Sequence, residues 1–395
     1  RGAVLGAGVM GGGIAWLFAQ NDQAPVMKDI SKEALELGLK QASSNFAGAL
    51  KKKRLSEDEF NRKMRSITPT LSFEGMKAVE LVIEAVVENM DVKKKVLAEL
   101  EGQVRPQALI TTNTSSLSVT EMAQALKHPE RFAGLHFFNP VNKMPLVEII
   151  RHPKVSEETI QTLVKWVLDV KKTPVVVNDG PGFLVNRLLS PYLNEASFLL
   201  EAGVPIAELD QAALNFGMPM GPCRLMDEVG LDVCEKVGKI MEQGLGARAR
   251  AGQLSHRLTQ TGALGRKNSK GFYLYDEKGK VTGRNPEIEA LLPAKTLSID
   301  EHTLQQRLFL PVINEAAYCL SDGIVGKAST VDLGMIYGTG FPPFKGGPLR
   351  WADSEGLDRL LAELQNFAAT VSADRYAPAP LLVELARQKK TFYDV

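Results

Sequence analysis

Short apolar runs alternate with amphipathic stretches along the first half of the chain. Residues 3–5 are apolar on both faces and too few for a helix, which predicts a buried parallel strand. The run breaks into Gly6-x-Gly8-x-x-Gly11, and an apolar helical stretch follows from about residue 11 to 20. A second apolar run, 24–27, leads to Asp29. Ser31 is placed to cap a long helix over 32–50, and the basic run Lys51-Lys52-Lys53-Arg54 closes it. Ser56-Glu57-Asp58-Glu59 predicts the start of another helix. Buried strands are expected at 79–85 and 108–111, with a helix over 91–104 between them. Strands beginning at Phe132 and spanning 144–150 flank a proline-bearing turn. A helix over 156–170 and a strand over 173–177 follow.

Past the turn at 178–182 the texture changes to helical periodicity without strands, at 183–201, 206–216, 231–242 and 248–261. This half repeats itself. Residues 187–196 recur as 307–316, Gly217-Met218-Pro219 as Gly340-Phe341-Pro342, and Gly230-Leu231-Asp232 as Gly356-Leu357-Asp358. Arg224-Leu225-Met226-Asp227 recurs as Arg350-Trp351-Ala352-Asp353. The pattern predicts an α/β Rossmann-type, doubly wound parallel sheet over 1–179. An all-α region of two tandem copies of one helical domain, 180–279 and 299–395, follows, joined by a polar, proline-bearing linker at 280–298.

Composition narrows the function classes. A hydrophobic share of 44% and a charged share of 24% are ordinary for a globular protein, and a net charge of +1 argues for neither a nucleic-acid nor a membrane surface. No apolar stretch reaches membrane-spanning length. Cys223, Cys234 and Cys319 have no metal-ligand spacing and fit buried thiols of a reducing compartment, so no metal site is expected. The first strand starts almost at Arg1, as expected of a piece of something longer.

The glycine turn carries the first candidate chemistry. Gly6 allows a tight turn, Gly8 leaves backbone bare for a pyrophosphate, and Gly11 lets helix and strand approach; the helix N-terminus then faces the phosphates. Asp29 stands about the usual ~20 residues further on, where an acid grips the adenosine ribose. A merely structural glycine turn is the alternative. The basic run at 51–54 is either a solvated helix end or a contact for a phosphorylated ligand. Among five histidines, His128, His152, His256 and His302 lie in polar stretches that read as exposed and partnerless. His136 stands at a strand end on the ligand side, with Asn139 and Glu148 downstream. An imidazole can take an alcohol proton as hydride leaves the carbon, and a carboxylate on its other nitrogen fixes the tautomer and stabilises the imidazolium. Spacing alone leaves open a core histidine near a surface glutamate.

At these residues the chain resembles the L-3-hydroxyacyl-CoA dehydrogenase family over its whole length, most closely the dehydrogenase part of the bacterial multifunctional fatty-acid oxidation alpha subunit. The matching motifs are GAGVMGGGIA (6–15), VIEAVVENMDVKKKV (82–96), TNTSSL (112–117), GLHFFNPVNKMPLVEIIR (134–151), NDGPGFLVNRLL (178–189), GMPMGP (217–222) and YGTGFPPFKGGPLRW (337–351). The resemblance implies that His136 is the general base and Glu148 its partner, with Ser115 and Asn186 at the substrate oxygen or the nicotinamide. It sets Met10, Asp29, Val86, Val87, Glu88, Lys93, Ser115 and Asn139 along the NAD cleft, beside Gly6, Gly8 and Gly11. Tyr337 falls where the family reaches the acyl-CoA; a core aromatic is the plain alternative, and for Asn186 a helix-terminal polar group. The implied activity is NAD-dependent oxidation of (S)-3-hydroxyacyl-CoA to 3-oxoacyl-CoA in the β-oxidation of fatty acids, in a bacterial cytoplasm with a thiolase subunit as partner. Multifunctional relatives carry a hydratase domain ahead of the position of Arg1. Single-copy relatives dimerise through the helical domain, so the second copy is expected to keep this chain monomeric. Two rivals are a stand-alone 3-hydroxybutyryl-CoA dehydrogenase and a non-catalytic NAD-binding structural protein, since the family includes a lens crystallin.

Overall fold

The structure, a computed structural model, describes residues 1–294 and 297–395. It divides into two compact units, residues 1–180 and 181–395.

The first unit is built on one sheet of β1 (Gly2–Leu5), β2 (Val26–Lys28), β3 (Thr68–Thr70), β4 (Leu81–Glu84), β5 (Leu109–Thr112), β6 (Phe132–Phe137), β7 (Leu146–Arg151) and β8 (Thr173–Asn178). They lie in the order β3-β2-β1-β4-β5-β6-β7-β8. The order in which strands are added reverses about β1, which pairs in parallel with both β2 and β4. That is the switch point at which open α/β sheets bind ligands beyond the strands' carboxyl ends. The helices are α1 (Val9–Gln20), α2 (Lys32–Lys51), α3 (Glu57–Ser66), α4 (Met90–Glu101), α5 (Val119–Ala123) and α6 (Glu157–Asp169). Their starts follow local chemistry. Ser31 accepts from the Ala34 amide, Asn89 from Val92 and Ser156 from Thr159, and Ser56 with Glu59 forms a capping box. Ile14 and Phe18 of α1, Leu163 and Val167 of α6, and Val4, Ile83 and Ile149 of the strands fill the core.

The sheet departs from the parallel expectation at one place. β6 and β7 pair antiparallel, because residues 138–145 are too few for the crossover that a parallel pair needs, about a dozen residues. β3 was not foreseen: it is three residues long, mostly exposed and contains Pro69. Its place at the sheet edge, against β2, is where proline is tolerated.

The second unit is mainly helical: α7 (Val185–Glu201), α8 (Ile206–Phe216), α9 (Pro222–Val229), α10 (Leu231–Leu245), α11 (Leu254–Thr259), α12 (Pro286–Glu289), α13 (Glu301–Ser321), α14 (Ala328–Thr339), α15 (Pro348–Glu355), α16 (Leu357–Thr370), α17 (Ala373–Tyr376) and α18 (Pro380–Gln388). The strandless expectation is corrected by an antiparallel hairpin of β9 (Tyr273–Tyr275) and β10 (Val281–Arg284). Its turn is tied by Asp276, whose carboxylate accepts from the Lys278 and Lys280 amides. β10 and α12 therefore occupy much of the segment expected as a linker, of which residues 295–296 lie outside the described residues. The helix expected over 248–261 contracts to α11.

The long helices α7 and α13 pack on each other and exchange buried ion pairs. Arg187 donates to Glu315 at 2.7 Å, and Arg307 to Glu195 at 2.8 Å. Asp210 of α8 accepts the Cys223 and Arg224 amides and the Tyr273 hydroxyl. Asp332 of α14 accepts the Leu349 and Arg350 amides and the Tyr393 hydroxyl. Aromatic packing closes the interior, with Phe216 stacked on Phe309 at 3.7 Å and Trp351 edge-on to Phe216.

Candidate dinucleotide and acid–base site

The turn after β1 is closed by sterics. Gly6 has φ of +91°, and a Cβ there would lie 2.4 Å from the Ala85 carbonyl oxygen. A Cβ at Gly11 would lie 1.8 Å from the Gly6 carbonyl oxygen, so helix and turn touch at that residue. At Gly8 the same test meets no protein atom within 4 Å: the space beyond it is open. Gly8 opens α1 with no side-chain cap and no acid in the first turn, so the amides there face outward as an anion site. Asp29, one residue past β2, joins this turn directly. Its Oδ2 accepts the Ala7 amide at 2.7 Å, and its Oδ1 accepts Ile30 and Ser31. A carboxylate has about four acceptor sites, so capacity remains for a ribose hydroxyl. These residues fit a dinucleotide: room at the pyrophosphate, outward amides, and an acid at the ribose.

β4 lies beside β1, and β5 is the next strand on that side. Val86 and Glu88 follow β4; Val87 is well exposed, at 67%. Glu88 accepts the Thr114 hydroxyl at 2.5 Å and the Ser115 amide at 3.1 Å, so it holds the turn that presents Ser115. Lys93, on the first turn of α4, is 1% exposed, and its ammonium reaches Glu84, Glu88 and the Val86 carbonyl. Asn113 accepts the Phe137 amide at 2.8 Å and so ties this turn to the end of β6.

The acid–base pair comes from sheet register. His136 on β6 stands directly opposite Glu148 on β7, and His136 Nδ1 lies 2.8 Å from Glu148 Oε2. Both are buried, at 5% and 0% exposure. The Phe138 ring lies 4.4 Å from the imidazole. With Nδ1–H donating to the carboxylate, Nε2 carries the basic lone pair. Asn139, one residue beyond Phe138, is exposed. The turn that follows is held by Lys172, whose ammonium donates to the Val141 and Met144 carbonyls at 2.5 and 2.6 Å. Burial pulls the Lys172 amine down to about 8. The described residues contain no group of side chains arranged to hold a metal.

Thus Gly6, Gly8, Met10, Gly11, Asp29, Val86, Val87, Glu88, Lys93, Ser115, His136, Asn139 and Glu148 all belong to the first unit, mostly on loops and strand ends following β1, β2, β4, β5 and β6. Asn186, half-buried on the first turn of α7, and Tyr337, 39% exposed on α14, belong to the second. The reading of the other histidines needs correction. His152 is buried, its Nε2 bonded to the Phe132 carbonyl, and desolvation holds its imidazole below the usual range. His128 and His256 are exposed but pair with Glu130 and Glu235, and His302 approaches Gln306. Sequence reasoning also passed over Asn113, Lys172 and Glu84. Asn113 and Glu84 lay inside quoted motifs, at 112–117 and 82–96, but Lys172 did not.

A dinucleotide turn at the switch point, with a buried histidine–carboxylate pair at a neighbouring strand end, defines a nicotinamide-dependent oxidoreductase. Comparison with known proteins narrows the class. The family described as "3-hydroxyacyl-CoA dehydrogenase, NAD binding domain" matches residues 2–180, and "3-hydroxyacyl-CoA dehydrogenase, C-terminal domain" matches 182–275 and again 304–392. The chain belongs to the 3-hydroxyacyl-CoA dehydrogenase family. It is 42% identical to a "Fatty acid oxidation complex subunit alpha" of Idiomarina loihiensis, over 99% of this chain and 55% of that one. The chain thus spans about half the length of the curated relatives it matches. Among solved structures, 3-hydroxybutyryl-CoA dehydrogenase from Escherichia coli K12 superposes with a TM-score of 0.85 at 29% identity, covering 98% of each chain. The dehydrogenase part of multifunctional enzyme 1 from C. elegans gives 0.71 at 29% identity, over 97% of this chain and 89% of that one.

Proposed function

We propose that the chain oxidises (S)-3-hydroxyacyl-CoA to 3-oxoacyl-CoA as the dehydrogenase portion of a multifunctional β-oxidation enzyme. The observation that carries this reading is the buried His136–Glu148 pair at 2.8 Å. Bound along Gly6 to Gly11 and Asp29, NAD supplies the hydride acceptor. His136 Nε2 takes the proton of the 3-hydroxyl while the C–H bond gives up its electron pair as hydride and the carbonyl forms. Glu148 holds the ring in the accepting tautomer and stabilises the imidazolium. Ser115 and Asn186 are assigned to the substrate oxygen and Tyr337 to the acyl-CoA, on the family resemblance. A turnover assay with NAD and 3-hydroxyacyl-CoAs of graded chain length tests the proposal. Absence of turnover in the folded chain refutes it and favours the non-catalytic rival; activity confined to the C4 substrate favours the short-chain one.

The helical unit reads as two copies of one domain. Supporting this are the reciprocal Arg187–Glu315 and Arg307–Glu195 pairs, the matching Asp210 and Asp332 clamps, and the C-terminal family match at both 182–275 and 304–392. The second copy covers the face that a partner subunit would cover, so the chain is active as a monomer. Light scattering that shows an obligate dimer with inactive monomer contradicts this. A thiolase partner and a bacterial cytoplasm follow from the resemblance to the fatty-acid oxidation alpha subunit; co-purification with the thiolase subunit tests the first.

A further inference from the structure

Glu84 ends β4, behind three apolar residues, and is 0% exposed. Each of its oxygens is engaged. Oε1 accepts the Val86 amide at 2.7 Å and the Lys93 ammonium at 2.7 Å, and Oε2 accepts the Thr112 hydroxyl at 2.6 Å. Lys93 continues the chain of contacts to Glu88 at 3.3 Å and to the Val86 carbonyl. Glu88 in turn accepts from Thr114 and Ser115. One buried carboxylate therefore ties the loop after β4, which lies next to the glycine turn, to the end of β5 and, through Lys93 and Glu88, to the turn after it.

Charge balance makes the arrangement directional. Two carboxylates share one ammonium. A buried ammonium that loses one anion is drawn to the other. With Glu84 neutralised, Lys93 has Glu88 as its remaining acid, and Glu88 drawn inward must loosen its grip on Thr114 and Ser115.

We propose that Glu84 is a positioning residue for the cofactor loop and for Ser115. By holding Lys93 and Thr112 it sets where residues 86–88 stand and leaves Glu88 available to fix the Ser115 turn. Lys93 acts in the same network, with its ammonium turned inward. The inference rests on the reading that NAD lies along Gly6 to Gly11 with residues 86–88 and Ser115 facing it.

The test uses Glu84→Gln, Lys93→Met, their double variant and Thr112→Val, each measured for NAD Kd by titration of protein fluorescence, for kcat, and for Tm. At temperatures where the variants are folded, Glu84→Gln should weaken NAD binding by about 10- to 10²-fold, the scale of a site displaced from a distance. Thr112→Val, which removes one bond and no charge, should show a smaller loss in the same direction; it carries the test if Glu84→Gln does not fold. In the double variant no ammonium pulls on Glu88, so NAD binding should recover part of what Glu84→Gln lost. Unchanged Kd with only a lowered Tm overturns the proposal, and so do losses that simply multiply in the double variant, as a direct Lys93–NAD contact would give. Wild-type protein that binds no NAD would refute the functional reading instead, and is distinguishable on that ground.

Discussion

Replacing Glu148 by glutamine changes one charge and almost no volume beside the His136 ring. Glu148 is 0% exposed and its Oε2 lies 2.8 Å from His136 Nδ1. The amide can face the ring in two ways. If its oxygen takes the carboxylate's place, Nδ1–H still donates and the accepting tautomer survives. The imidazolium then forms beside a neutral group, away from water. If the nitrogen faces the ring it donates to Nδ1, the proton moves to Nε2, and the ring cannot accept from the substrate. Either way the loss lies in the step that moves the proton. General-base catalysis contributes about 10²–10⁴-fold, which is about 2.7–5.4 kcal/mol of barrier. The expected result is a kcat lowered within that range, with NAD Kd nearly unchanged because Asp29 and the glycine turn stand apart from the pair. NADH formation at saturating substrate measures the first and a binding titration the second. His136→Gln should lose at least as much. A folded Glu148→Gln enzyme that keeps more than about a tenth of wild-type kcat would show that the dyad is not the acid–base device.

Other expectations follow from single contacts. Asp29 should repel a 2′-phosphate, so kcat/KM with NAD should exceed that with NADP by at least about tenfold, roughly 1.4 kcal/mol; equal values refute the assignment. Arg187, 1% exposed and bonded to Glu315 and Asp322, should on replacement by methionine destabilise the protein by about 1–3 kcal/mol, read by denaturant unfolding, because buried Glu315 loses this arginine while Arg248 still pairs with it. Burial holds Lys172 at about 8 against the ordinary 10.5 of a lysine. The folded state therefore disfavours the ammonium, a penalty present in full below about pH 8 that fades as pH rises towards 10.5. The stability of wild type relative to Lys172→Met should thus increase between those limits, and a gap that narrows would contradict the sign.

The fold was readable where hydrophobic pattern and local chemistry agreed. Ser31, Ser56 and Ser156 start helices as their side chains require, and the strands of the core announced themselves as short apolar runs. What was missed lacked such agreement. β3 offers threonine and proline, and exists because β2 presents an edge to it. The β9–β10 hairpin has a strand-like run, Phe272 to Tyr275, before the Asp276 turn, but its second strand, Val281–Arg284, offers only a valine and a threonine beside glycine and arginine. His152 was misjudged from polar neighbours, since its burial comes from the β6 backbone that it bonds. The antiparallel turn of β7 was deducible from the length of 138–145 alone, and it matters because only that register sets His136 opposite Glu148.

Lys93 shows how residue type can mask periodicity. The run Lys93-Lys94-Lys95 carries three like charges, yet only the first is buried. Its position explains why: Lys93, Leu97 and Leu100 follow the i, i+4, i+7 spacing of one helix face, and all three are buried. A lysine on the apolar stripe of a helix must find an anion, and the anion stands at the end of the preceding strand, where Glu84 interrupts an otherwise apolar run. Each residue alone breaks its element's pattern. Together they satisfy one another, and the pair was readable from two misplaced charges on consecutive elements. The use made of it was not, because that depends on Thr112 and Glu88, which reach the network from the end of β5 and the loop after β4, positions that only the folded sheet brings together.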